Sequence, residues 1–471
     1  MNAQDLLQEI ADYCRHSGLA ESTFGRRAVN DGKLTARLRN GGRITTQTLD
    51  RIRGFMETNR MAAAGRPTII ERPREPRPLE SATPAPAPVA RPAGEPDPQR
   101  NFRFFDNRQK YLLFVNTCSE KWVIANRVGL ELANIHPRPP AVRLFDAGVG
   151  DGTVLLRALR AMHDRFPTMP FYIVGKEISL EDVRLALDKL PDRFHEHPHT
   201  VVVMTNLKYA DAPLLLPSDP SEAARLGWHV AALEGTSASE YDDQIEALAP
   251  VLAEGWRTRP SPATGNPVVV QPSVLVLYRK DHEFLLDSVI PRPGASRRDY
   301  DFVLASQPWR ASMPASFKAE KILAPLARSL APHGRLLTIQ SWGRDPGLEV
   351  VQRLWPEENP FQVDRHALLA AVREELGPEA GDFDLTSPPD HEAVFRYRMH
   401  TLPSEISDRI GTSTLLAAWN AVIYVNQIED EKLEDVMRGG RYLEVTQEVL
   451  NEHGGLWFND ESFVVTRRGD R

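Results

Sequence analysis

Apolar residues recur at two different periods along this chain, and the change of period divides it. In the first sixty residues the period is helical. Leu6, Leu7, Ile10, Ala11 and Cys14 fall close to one face of residues 4–16, and Ser17-Gly18 ends that run. Ser22 or Thr23 can cap a second short helix reaching about Val29, and Asp31-Gly32 interrupts it. Residues 33–39 form a short basic helix closed by Asn40-Gly41-Gly42, and Leu49, Ile52 and Phe55 share a face of one that starts at Thr45-Thr46. Beyond about residue 100, short runs of β-type residues alternate with helical stretches, which predicts an α/β fold with a mainly parallel sheet. Strands are expected at 143–147, 172–176, 200–205, 273–277, 301–305 and 335–340, with late strands at 394–400 and 462–467. Helices are expected at 121–132, 152–163, 180–190 and 318–330.

Between the two periods lies a segment that can bury no core. Residues 61–100 hold ten prolines among Ala, Arg and Glu, a composition that favours polyproline II. The chain therefore reads as a module at 1–60, a linker at 61–100 and a body at 101–471. Within the body, residues 212–298 exceed any simple connection and read as an insertion. Residues 403–455 read as a helical segment suited to a lid or a dimer face.

Composition narrows the class. At 471 residues with 41% hydrophobic positions, the chain is long enough for two or three domains. No run approaches the roughly 18 apolar residues of a membrane span, and the start lacks a signal-peptide pattern, so a cytoplasmic protein is expected. The two cysteines, Cys14 and Cys118, are expected to be reduced. The net charge is −7, yet residues 1–60 carry ten basic and seven acidic side chains. Within 22–43 there are six basic residues and one acid, Asp31. Only this module is expected to meet a polyanion.

The chemistry concentrates in Leu144-Phe145-Asp146-Ala147-Gly148-Val149-Gly150-Asp151-Gly152-Thr153. An apolar strand runs into an acid, then into glycines spaced by two, and a helix follows. Glycines let the backbone turn sharply and admit a ligand closely, and the helix N-terminus offers free N–H groups. The third glycine comes one position too early for a dinucleotide fingerprint, and no Lys-Ser/Thr follows as in a P-loop. A second acid, Glu177, ends the next strand, where a carboxylate can accept both hydroxyls of a ribose. The pattern Asp-x-Gly-x-Gly-x-Gly resembles the first motif of class I S-adenosylmethionine-dependent methyltransferases. The resemblance implies a Rossmann-like, seven-stranded sheet with a late antiparallel strand and S-adenosylmethionine as cofactor. It implies that Asp146, Ala147, Gly148, Gly150 and Gly152 line the methionine part and Glu177 the ribose. It also implies an adenine contact after the third strand, from Asn206 or Asp211. From the segment before the first strand, Asn116, Ser119 or Lys121 would reach the cofactor carboxylate, although Ser119 can equally cap the helix that follows.

The fourth strand runs into Ser306-Gln307-Pro308-Trp309. This is similar to the fourth motif of amino methyltransferases, in which a polar residue, two prolines and an aromatic follow the fourth strand. The resemblance implies that Ser306, Gln307, Pro308 and Trp309 contact the methyl acceptor, an amine nitrogen. Gln307 stands where the first proline is expected, which removes a rigid φ and adds an N–H. No general base is evident beside these residues; His229, Glu234 and Tyr241 of the insertion are the alternatives. His195, His197 and His199 alternate, but Pro198 breaks any strand there and no metal site is expected.

Residues 19–43 resemble the lambda-repressor-like helix-turn-helix family. That resemblance implies DNA as a partner, contacted by Arg26, Arg27, Lys33, Arg37 and Arg39. A symmetric operator would imply a homodimer. The expected whole is a methyltransferase of unresolved acceptor, localised or regulated by a DNA-binding head. The alternative is a regulator that binds the cofactor without turnover.

Overall fold

The computed structural model describes residues 3–17, 21, 24, 28–29, 34–39, 48–49, 51–56, 108–261, 267–401, 405–406 and 410–469. The chain divides into two units, Met1–Pro92 and Ala93–Arg471. The expected linker at 61–100 lies outside the described residues. No helix among them is long and apolar enough to cross a membrane.

The described part of the first unit is helical. Helix α1 (Ala3–Ser17) turns Leu6, Ile10, Tyr13 and Cys14 toward Leu34 and Leu38 of α2 (Leu34–Arg39), and Phe24, Ile52 and Met56 complete the core. Phe24 packs edge-on between Tyr13 and Phe55, with ring centroids 5.4 and 5.6 Å away. Of the five basic residues assigned to DNA, Arg26, Arg27 and Lys33 lie outside the described residues and Arg37 lies on α2. Arg39 is exposed and ion-pairs with Glu21 at 2.6 Å. Cys14 and Cys118 are both buried, free thiols.

The second unit is a mixed α/β structure around one large sheet. Its strands are β1 (Val142–Asp146), β2 (Phe171–Lys176), β3 (Thr200–Thr205), β4 (Gly227–Leu233), β5 (Thr258–Pro260), β6 (Pro267–Val269), β7 (Ser273–Arg279), β8 (Tyr300–Ser306), β9 (Leu330–Ser341), β10 (Phe383–Asp384), β11 (Val394–Arg398) and β12 (Trp457–Arg467). β5 and β6 form a separate hairpin. The other ten make one sheet in the order β10-β12-β9-β8-β1-β2-β3-β7-β4, with β11 also on β12. Strands β3, β2, β1, β8 and β9 are mutually parallel, and β12 runs antiparallel to β9. The central order and the antiparallel last strand agree with a Rossmann-like methyltransferase sheet. The count does not: among the described residues ten strands stand in place of the expected seven. The insertion adds β7 and β4 beyond β3, and two short strands, β10 and β11, share β12 as partner.

Both faces of the sheet are covered, which is why its strands read as near-continuous apolar runs. Side chains alternate between two cores. Phe145, Val174, Val203, Val303 and Leu336 pack on one face against α8 (Arg365–Leu376) and the helical stretch 315–327. Leu144, Ile173, Val202, Leu304 and Leu337 pack on the other against α4 (Glu120–Leu132), α5 (Thr153–Arg165) and α6 (Leu180–Leu187). A third core joins α3 (Arg108–Thr117), α7 (Pro346–Leu354), α9 (Thr412–Asn426) and α10 (Arg441–His453) through Phe114, Val351, Trp419, Val422 and Val449. Asn420 donates to the Lys110 carbonyl at 2.9 Å, and Gln427 accepts from the Ala311 N–H at 3.0 Å. These bonds tie the helical segment to α3 and to the loop after β8.

Candidate active site at the carboxyl ends of the strands

Strands β1 and β2 are neighbours, so the acids that end them converge. Asp146 pairs in register with Gly175, two residues before Glu177. Between them runs the glycine loop. Gly150 and Gly152 take left-handed conformations, with φ of +54° and +80°. A Cβ on Gly152 would lie 2.8 Å from the Ala186 Cα, a backbone atom of α6 that cannot yield. Around Gly148 there is open space for a Cβ. The Gly150 N–H donates to Glu177 Oε2 at 2.9 Å, and Glu177 Oε1 accepts from the Ile178 and Ser179 N–H groups. Asp146 accepts from the Gly148 N–H at 3.1 Å. Burial, and then the Glu177 charge, push the Asp146 carboxyl up to about 7.

A cover lies over the loop. The Tyr111 hydroxyl of α3 is 3.1 Å from Asp151 Oδ1 and would sit 3.0 Å from a Cβ on Gly150. Lys189 clamps Asp151 from the other side at 2.7 Å; despite burial, that ammonium and the Thr153 hydroxyl hold Asp151 below its usual range. Lys121 lies 5.6 Å from the Tyr111 ring centroid and ion-pairs with Glu120 at 3.0 Å. Burial opposes its charge, yet Glu120 holds the ammonium well above its ordinary value. The upstream contact to the glycine loop is thus Tyr111, not Asn116. Asn116 is exposed and donates within α3 to the Leu112 carbonyl. Ser119 does not cap α4; it bonds both ways with the backbone of Arg398, knitting α4 to β11.

Asn206 is likewise committed elsewhere. Its amide donates to the Gly255 and Gln271 carbonyls, and its oxygen accepts from the Ser273 N–H. It fastens the insertion to the end of β3 through these three bonds, which leaves its oxygen one lone pair. Asp211 accepts from the Ser218 N–H. The side chain after β3 that faces the site is Tyr209. It donates to the Pro308 carbonyl at 3.1 Å, and the Lys176 ammonium stacks 4.3 Å from its ring centroid. Burial pulls Lys176 down to about 8.

Ser306 ends β8, and the motif turns sharply at Gln307. Gln307 has φ +50°, rare for a side-chain-bearing residue. Its N–H donates to the Ile339 carbonyl at 2.9 Å and extends the β8–β9 ladder by one bond. Proline could provide neither the φ nor the N–H. The Gln307 amide nitrogen sits 3.4 Å from Glu120 Oε1 and from Asp460 Oδ1. Trp309 is buried in the core, with the Lys318 ammonium 5.6 Å from its ring centroid, and it is among the residues that line a small cavity. That cavity, about 10 Å³, is bounded by Gln307, Trp309, Gln340, Ser341, Phe361 and Gln427. Tyr111, Glu120 and Asp460 thus join the site without having been singled out in the sequence. The signal for Asp460 was Asn459-Asp460-Glu461-Ser462, four polar residues inside an aromatic strand.

Other candidates fall away from this edge. Glu234 ion-pairs with Lys280 at 2.5 Å, and the buried Tyr241 donates to the Gly235 carbonyl. His229 lies on β4, beyond β3 and β7. His197 is buried on Phe171, ring centroids 3.8 Å apart, and His195 is exposed. Among the described residues the cluster with metal-ligand spacing is Glu349, Glu452 and His453, where Arg353 already ion-pairs with both glutamates.

No family model matches the chain, and no curated protein matches it. Solved structures give distant likenesses. One, described as a sarcosine dimethylglycine methyltransferase from Galdieria sulphuraria, has 10% identity and a TM-score of 0.31, covering 73% of this chain and 85% of that one. A geranyl diphosphate methyltransferase in complex with SAM has 12% identity and a TM-score of 0.28, with the same coverage. Phosphoethanolamine N-methyltransferase 2 of Haemonchus contortus, in complex with S-adenosyl-L-methionine, has 9% identity and a TM-score of 0.25, covering 73% of this chain and 53% of that one. At these values the function has to be read from the site itself.

Proposed function

We propose that the second unit is an S-adenosylmethionine-dependent methyltransferase with an amine nitrogen as acceptor. The observation that carries this reading is the glycine loop. Gly150 and Gly152 hold left-handed turns between Asp146 and Glu177, at the carboxyl ends of two adjacent parallel strands. Ligands of open α/β sheets bind at that edge. The residues fit the cofactor. Gly148 leaves room for close approach, Glu177 retains acceptor capacity for ribose hydroxyls, and Asp146 and Lys121 offer one charge of each sign to an amino-acid end.

When bound, the cofactor supplies an electrophilic methyl on a sulfonium. The chain's own part is positioning. Tyr111 covers the loop and limits water, Ser306 and the backbone after β8 hold the acceptor, and Tyr209 fixes the Pro308 carbonyl. Gln307, Pro308 and Trp309 are read as the remaining acceptor contacts, with Gln307 and Trp309 lining the small cavity beside β8.

Calorimetric titration of S-adenosylmethionine and S-adenosylhomocysteine into wild type and Gly150→Arg is the test. Saturable binding lost in the variant supports the reading; no binding of either ligand to folded wild type overturns it. The second reading, a regulator without turnover, is favoured by the 10 Å³ cavity where an acceptor would sit. It predicts cofactor binding with no methyl transfer to amine, protein or DNA acceptors. In either case we read the first unit as the DNA contact, because residues 22–43 carry six basic side chains against one acid.

A further inference from the structure

The same edge of the sheet holds a buried acid that nothing in the cofactor reading uses. Asp460 lies in mid-β12, opposite Ser341 of β9 and Phe395 of β11. Its exposure is 0%; the Ser341 side chain hydrogen-bonds it and the Lys121 ammonium partly offsets its charge, but it has no ion-pair partner among the described residues. Burial and the charges of Glu120 and Asp345 push its carboxyl well above the ordinary range. A buried carboxyl in this position either stays protonated or waits for a cation. Its nearest amide, from Gln307, is shared with Glu120 at 3.4 Å, long for a hydrogen bond.

A second, independent observation comes from Tyr397. This residue is 1% exposed, and its hydroxyl has no hydrogen-bond partner among the described residues. Tyr397 pairs with Phe458, and Phe395 with Asp460, so Tyr397 and Asp460 project from one face of the β11–β12 pair. The hydroxyl feels the charges of Asp460, Glu120 and Asp345. An unpaired phenol and a carboxyl without an ion-pair partner, one residue pair apart, describe a site that lacks an occupant. Three acids face two cations, the Lys121 ammonium and the Arg396 guanidinium beside Asp345, and this balance disfavours an anion. The oxygens of these acids do not converge at metal-ligand spacing, which fits an organic cation better than a metal ion.

We propose that Glu120, Asp460 and Tyr397 recognise a basic nitrogen bearing at least two N–H bonds, a primary amine or a guanidine, and that this group displaces the Gln307 amide. The proposal rests on the methyltransferase reading in taking that nitrogen as the acceptor. One N–H reaches Glu120 and one reaches Asp460; in the protonated form a third N–H is accepted by the Tyr397 hydroxyl oxygen. A bound ammonium passes one proton to the Asp460 carboxylate: an N–H bond breaks, an O–H bond forms, and the electron pair stays on nitrogen. The result is a neutral amine with a free lone pair beside a neutral acid.

The experiment is calorimetric titration into protein saturated with S-adenosylhomocysteine. The probes are n-butylamine, n-butylguanidine, n-butanol and butyltrimethylammonium. Saturable binding is expected for one of the first two, and at least tenfold weaker binding for the alcohol and for the cation without N–H bonds. Asp460→Asn is expected to lose at least tenfold in amine affinity and keep its S-adenosylhomocysteine affinity. Its melting temperature should be unchanged or higher, because the incompletely compensated carboxyl is gone. Glu120→Gln, the second variant, is expected to weaken amine binding alike. Wild-type amine affinity in both variants, equal binding of butyltrimethylammonium, or binding of neither N–H probe overturns the proposal. If S-adenosylhomocysteine itself fails to bind, the methyltransferase reading falls, and the same amine titrations into free protein decide the acid site separately.

Discussion

At Gln307 a single backbone angle decides what the loop after β8 can be. A left-handed φ on a residue with a side chain costs on the order of 1–3 kcal/mol. Here it is accompanied by the N–H bond to Ile339 and the amide contacts to Glu120 and Asp460. Restoring the proline of the amino methyltransferase motif removes the angle and the N–H together. Gln307→Pro is therefore expected to destabilise the protein by about 3 kcal/mol or more in denaturant titration. An unchanged midpoint would mean the loop does not need its left-handed turn. Asp146 carries a second prediction at this scale. Its carboxyl titrates near 7, so it is mostly protonated at pH 6 and mostly ionised at pH 8. If the ionised form binds the cofactor's ammonium, S-adenosylmethionine affinity rises by roughly tenfold over that interval relative to Asp146→Asn. Parallel pH profiles for the two proteins would remove Asp146 from the cofactor's reach.

Strand β12 shows how an element hides its function. Its outer half reads as an apolar strand, and the expected limits were 462–467. The observed strand begins at Trp457, because Asn459, Asp460, Glu461 and Ser462 are polar yet buried. Three of the four have a plain tertiary reason, Ser462 through Arg127 and the Ala393 carbonyl. Asn459 donates to the Gly343 and Arg344 carbonyls, and Glu461 ion-pairs with Arg365 at 3.1 Å. The opposite ends of β2 and β3 carry a pH-dependent contact. His197 stacks on Phe171, bonds His163 and the Met169 carbonyl, and is pushed by burial from 6.5 to about 4. The unfolded chain takes up a proton near 6.5 and the folded one only near 4. The stability due to neutral His197 is therefore complete above 6.5 and is lost as pH falls toward 4. Melting temperature should drop through that window in wild type and less so in His197→Leu. Identical acid limbs would show that the ring is not held neutral.

Across the whole molecule, charge is partitioned. Residues 1–60 carry ten basic and seven acidic side chains, while the complete chain has net charge −7. If the first unit grips DNA through the six basic residues of 22–43, affinity should fall on the order of a thousandfold between about 50 and 200 mM salt. Fluorescence anisotropy with a labelled duplex measures this. Salt-independent binding, or no binding at the lower salt, assigns the unit to protein docking instead. The pair Arg39–Glu21 already removes one cation from that count.

What the sequence alone determined follows short-range rules. The β1 run, the acid at its end and the glycines at spacing two lie within ten residues, so strand, turn and helix start were legible together. The same holds for Glu177 at the end of β2, for β8 with its polar terminus, and for the amphipathic face of α1. Only the tertiary structure decided which of several plausible side chains do the work. Asn116, Ser119 and Asn206 have the right chemistry in the right segments, yet their hydrogen bonds go to Leu112, Arg398, Gly255 and Ser273. Glu120 and Asp460 stand 340 positions apart and meet only because α4 packs on the sheet while the last strand returns antiparallel beside β9. A residue's partners depend on which surfaces the chain brings together, and local periodicity carries no record of that.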